Sequence, residues 1–120
     1  MDKRLKEIAA FYDTEMQMCQ LIEEMAELTA AINKFQRASL GYYVSDCEPE
    51  EETKQIIKDQ QCFVTQARKN IESEIVDVEI CLKQVKFLMG ADKQRMKQIR
   101  EKKIERQLER IRQEKGINHW

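Results

Sequence analysis

The sequence predicts an all-α fold, an antiparallel bundle of four to five helices that works as an oligomer. Three observations carry this expectation. Only three Gly and one Pro interrupt 120 residues, of which 36% are charged, a composition that favours long helices over sheet. Apolar residues recur at i, i+3, i+4 and i+7 rather than in strict alternation. The run 71–89 is apolar on two sides, so it needs burial on both, which one small bundle does not easily provide. Residues 1–120 read as a single domain.

Residues 3–12 place Leu5, Ile8, Ala9 and Tyr12 on one amphipathic face. Asp13-Thr14 offers an N-cap, and a second helix is expected over 15–38. Its core stripe reads Met18, Leu21, Ile22, Met25, Leu28 and Ile32, while Gln17, Gln20, Glu24, Glu27, Ala31 and Lys34 form a neighbouring stripe. Gly41 is the expected stop, followed by a loop over 42–49. Pro49 and the acids Glu50, Glu51 and Glu52 open a long middle helix over about 49–68. A break is expected near 66–70, where Asn70 can cap. In 71–89 one stripe holds Ile71, Ile75, Val78, Leu82, Val85 and Met89, and the far side holds Val76, Ile80 and Phe87. Gly90-Ala91 ends that run, Asp92 can cap, and a charged helix follows from 93 to about 115, with Gly116 as its stop.

The net charge of -1 conceals an asymmetry: residues 91–120 carry +5 and residues 1–90 carry -6. An acidic body with a basic last helix suits a metal site facing phosphates, and suits equally a surface helix laced with ion pairs. The balanced acids of 101–114 argue against a nucleic-acid binder. Cys19, Cys47, Cys62 and Cys81 form no CxxC pair, and His119 is the single histidine, so no zinc site is expected. The thiols read as free and buried in a reducing compartment. Met1-Asp2-Lys3-Arg4 leads into an amphipathic helix rather than a secretory signal, and no stretch is apolar enough to span a bilayer. The expectation is a soluble, cytoplasmic protein with no membrane partner.

Two acidic patterns stand out, Glu23-Glu24-Met25-Ala26-Glu27 and Glu74-Ile75-Val76-Asp77. Both lie inside the most apolar helices, where a charge is costly unless it is used. Helical spacing puts Glu24 with Glu27, and Glu74 with Asp77, on common faces with Cβ atoms about 5–6 Å apart. Antiparallel packing of the two helices would bring four carboxylates together as a hard-cation site for magnesium, with manganese as a substitute. For either pattern alone a solvated helix face is the plainer account; their conjunction favours a site. A di-iron bundle needs Glu-x-x-His on two helices, which one histidine cannot supply.

At these residues the chain resembles the all-α nucleoside triphosphate pyrophosphohydrolases, the MazG-like group that includes dimeric dUTPases and phosphoribosyl-ATP pyrophosphohydrolase. Its EExxE and ExxD halves look like residues 21–28 and 74–80 here. The resemblance implies that Glu24, Glu27, Glu74 and Asp77 bind magnesium. Glu23 or Glu27 would take the proton of the attacking water. A later-helix pattern like KxxxNxxR is similar to residues 103–110, with Gln107 where the family carries Asn. That implies Lys103, Arg106 and Arg110 as phosphate ligands; pairing with Glu105 and Glu109 is an equally good account of them. Gln17 and Gln20 are candidates to contact a base, and Lys34 a phosphate, though solvated side chains are the commoner outcome. Phe11, Tyr12, Tyr42, Tyr43 and Trp120 read as packing aromatics before stacking ones.

The 46 residues between Glu27 and Glu74 exceed the family's usual spacing, so the middle helix reads as an insertion or an elongated second helix. The implied activity is magnesium-dependent cleavage of a (deoxy)nucleoside triphosphate to monophosphate and pyrophosphate, by a homodimer or homotetramer, in nucleotide-pool cleaning. The rival is a non-catalytic helical bundle that assembles other proteins.

Overall fold

The computed structural model describes residues 1–40 and 50–118. Three aspartates start three of its helices. Asp2 opens α1 (Lys3–Phe11), accepting a hydrogen bond from the Arg4 backbone N–H at 2.9 Å. The Arg4 guanidinium lies 2.6 Å from the same carboxylate, and these hydrogen bonds hold its pKa down to about 2. Asp13 opens α2 (Thr14–Leu40) by accepting from the Met16 N–H at 2.7 Å. α3 (Glu51–Met89) follows, with Glu51 and Glu52 in its first turn, where the helix dipole favours acids. Gly90, at φ 63°, takes the left-handed conformation that ends α3. Asp92 then caps α4 (Lys93–Asn118) through the Arg95 N–H at 3.0 Å.

All regular structure among the described residues is helical, as expected for an all-α chain. Two boundaries differ from the sequence reading. α3 runs unbroken for 39 residues, through the break expected at 66–70. No Gly or Pro interrupts it, and Asn70 accepts a surface hydrogen bond from Gln66 Nε2 at 3.0 Å instead of capping. α4 likewise continues through Gly116; a helical glycine costs about 1 kcal/mol relative to alanine without forcing a stop. The expected stop at Gly41, the loop 42–49 with Pro49 and Cys47, and His119 and Trp120 lie outside the described residues.

Residues Met1–Met89 form one compact unit, and the chain from Gly90 onward a second. In the first, α2 lies antiparallel to α3: Gln17 meets Gln84, and Gln60 Nε2 donates to the Ala38 carbonyl at 2.8 Å. α1 packs on α3, burying Ala9 and placing Lys6 Nζ 5.9 Å from the Phe87 ring centroid.

The α2 face that meets α3 consists of residues 17, 21, 24, 28, 31, 35 and 38, all buried or half-buried. The matching α3 face is 57, 60, 64, 67, 71, 74, 78, 81, 85 and 88. Both alternate steps of three and four residues, the coiled-coil repeat. The core stripe expected on α2 is therefore displaced by one residue. Leu21 and Leu28 belong to the seam, but Met18, Ile22, Met25 and Ile32 are exposed in the single chain. On α3, Ile71, Val78 and Val85 are covered, whereas Ile75, Leu82 and Met89 are not. From the neighbouring stripe of α2, Gln17, Glu24 and Ala31 face the partner helix, while Gln20, Glu27 and Lys34 are exposed.

The thiols also depart from expectation. Cys19, Cys62 and Cys81 are free, but only Cys81 is buried. Among the described residues, no helix is long and apolar enough to cross a membrane.

Candidate metal centre

Position 24 of α2 and position 74 of α3 are seam positions, where the repeat ordinarily carries an apolar side chain. Both hold glutamate. The antiparallel register sets them across from one another, and Asp77, one turn beyond Glu74, completes the group. One carboxylate oxygen from each of Glu24, Glu74 and Asp77 lies within 4.8 Å of the others, and all three residues are half-buried. Oxygens on opposite sides of an octahedral magnesium are about 4.1 Å apart, twice its ligand distance, so the group is close to ligating size.

The hydrogen bonding leaves room for a cation. Glu24 Oε1 accepts from Gln20 Nε2 at 2.9 Å, but its Oε2 and the Oε2 of Glu74 are buried with no partner among the described residues. Buried polar atoms are normally satisfied, and here two oxygens of like charge lack any donor. Glu27, exposed beside them, feels the result. Its pKa is raised chiefly by the charge of Glu24, then by that of Glu74, with burial, a hydrogen bond to Glu24 and the charge of Asp77 adding to the shift. The Cys81 thiol is pushed up by burial first, then by Glu24 and Asp77. An all-oxygen donor set with orphaned buried oxygens fits a hard divalent cation.

The other sequence candidates are distributed as follows. Glu23 is exposed and lines a separate hollow of about 380 Å³ with Asp13, Glu15, Met16, Cys19 and Gln20. Gln20 thus touches both this hollow and Glu24. Gln17, a candidate for base contact, is 5% exposed and donates its amide to Gln84, itself 3% exposed. Lys34 lines a second hollow, of about 260 Å³, that reaches Glu74. Phe11 and Tyr12 pack edge-to-face on each other at 5.0 Å. Lys103, Arg106 and Arg110 belong to the second unit, exposed along α4. Among the described residues they form no ion pair, since Glu109 pairs with Arg112 at 3.3 Å.

Gln84 and Ser73, which the sequence pattern did not single out, lie on the faces that surround the acids, and Asn70, expected as a cap, lines the hollow beside Ser73. One heptad before Glu24 stands Gln17, and one heptad after Asp77 stands Gln84, so the heptad spacing carried the signal for their pairing. No family model, curated protein or solved structure matches the chain.

Proposed function

We propose that the chain is a magnesium-dependent nucleoside triphosphate pyrophosphohydrolase of MazG-like type, cutting between the α and β phosphates to give a monophosphate and pyrophosphate. The observation that supports this reading is the meeting of Glu24, Glu74 and Asp77 across the seam, with two buried oxygens lacking donors. Glu24, Glu74 and Asp77 would hold the ion, with Glu27 at its edge. Bound there, magnesium or manganese would neutralise phosphate oxygens and acidify a water.

The remaining work falls to the chain's own residues. Glu27 takes the proton of the attacking water: it lies close enough to Glu24 and Glu74 to feel their charge, at the edge of the ion's site. Glu23, in the adjoining hollow, is the second candidate for that role. Gln20 orients the Glu24 carboxylate through its hydrogen bond. By the resemblance alone, Lys103, Arg106 and Arg110 would be phosphate ligands.

Magnesium and a panel of triphosphates, with pyrophosphate release as readout, test the proposal. The wild type turns over at least one triphosphate, and Glu74→Gln lowers the rate by a hundredfold or more. Unchanged turnover in Glu74→Gln would overturn it.

A second reading, a non-catalytic assembly bundle, is favoured by the apolar surface left on the single chain. Ile22 is 68% exposed, Met25 52%, Phe63 64% and Val76 51%. Self-association into a homodimer or homotetramer would cover these residues under either reading. The assembly reading predicts no pyrophosphate with any triphosphate.

A further inference from the structure

The hollow of about 260 Å³ beside Glu74 has a lining of unusual composition. Ala30, Ala31 and Ala67 face it, and their missing side-chain bulk opens a gap between α2 and α3. Its polar rim consists of Lys34, Asn70 and Ser73. Lys34 brings an ammonium group that, among the described residues, has no ion pair. Asn70 Oδ1 already accepts from Gln66 Nε2 at 3.0 Å, so its free group is the amide NH₂, a donor. Ser73 adds a hydroxyl. Among the described residues the one acid on the wall is Glu74, which also belongs to the acidic group.

We infer that this hollow is a phosphate subsite, taking the distal phosphates of a metal-bound polyphosphate, with Lys34 as its charged anchor. The inference rests on the metal-centre reading above. The chemistry favours an anion over a base or sugar: among the described residues no aromatic ring lines the hollow, and apart from Glu74 its polar side chains present donors. Along the helices the hollow runs from Glu74 past Asn70 to Ala67, four to seven residues, or about 6–10 Å at 1.5 Å per residue. A phosphate chain leaving the acids would lie along that path and meet Lys34. This anchor sits on α2, within the same compact unit as the acids, independent of Lys103, Arg106 and Arg110.

Calorimetry on the full chain separates this subsite from the metal centre. Manganese is titrated alone, then inorganic pyrophosphate in saturating manganese, for wild type, Lys34→Ala, Lys34→Arg, Ser73→Ala and the distant surface control Lys58→Ala. The expected result is unchanged manganese affinity in all five. Pyrophosphate affinity falls about tenfold in Lys34→Ala, less in Ser73→Ala, recovers in Lys34→Arg and is unaffected in Lys58→Ala. Normal manganese binding with undiminished pyrophosphate affinity in Lys34→Ala overturns the subsite and leaves the metal centre standing. Failure of the wild type to bind manganese overturns both.

Discussion

Glu24 and Glu74 occupy positions where the helix repeat would ordinarily place leucine or isoleucine, and that substitution governs the behaviour of the surrounding groups. The clearest consequence at the residue scale concerns Glu27. Its folded pKa lies above its unfolded value because Glu24 and Glu74 face it, so the folded state holds a proton that the unfolded state has already released. Stability from this group is complete below the ordinary glutamate value of 4.5. It is lost as pH rises through the raised folded value. Chelator-treated protein should therefore melt at higher temperature near pH 5 than near pH 7. Magnesium should flatten or reverse that trend, because a cation stabilises the ionised acids. A melting temperature that climbs with pH in the absence of metal would contradict the geometry. Glu74→Gln should behave oppositely to an ordinary buried substitution: the metal-free variant should melt no lower than wild type, and should lose the rise on adding magnesium.

At the scale of helices, the all-helical character and most helix starts were legible because composition and capping residues determine them, whereas the break expected at 66–70 is absent from the 39-residue α3. Asp2, Asp13 and Asp92 start helices where their side chains can accept from nearby backbone N–H groups, and Gly90 has the positive φ that ends α3. The orientation of α2 was not legible. Two adjacent stripes are both plausible cores by periodicity, and the more apolar one, Met18, Ile22, Met25 and Ile32, is the one left open in the single chain. Hydropathy cannot tell a face meant for a neighbouring helix of the same chain from one meant for another surface. The same ambiguity hid Gln17 and Gln84, which look like surface glutamines until the register is known. Their buried pairing makes a prediction at this scale. Gln17→Ala leaves the Gln84 amide buried without a partner and should cost about 1–3 kcal/mol in urea unfolding. Replacing both by leucine should restore most of that loss. Because Gln17 and Gln84 stand one heptad from Glu24 and Asp77, the double variant should still bind manganese more weakly, its register no longer specified by a polar pair.

For the whole molecule, the open apolar positions on α2 and α3 argue that the single chain is not the complete functional unit. Ile22, the most exposed of the α2 set at 68%, is the sharpest probe. Light scattering on the wild type should give a dimer or tetramer mass, and Ile22→Asp should shift it towards the monomer. A wild type that is monomeric at micromolar concentration would leave those side chains without the partner proposed for them. The two donorless oxygens inside the seam, one heptad from its Gln17–Gln84 end, have a final consequence. Repulsion between them weakens the helix pair at that level while both ends remain packed, so local opening should begin inside the seam rather than by fraying. Backbone amides around positions 24 and 74 should then exchange with deuterium faster than those near Ala67 or Val85, and slow down when a divalent ion is supplied. The chain would register cation supply as rigidity before any chemistry begins.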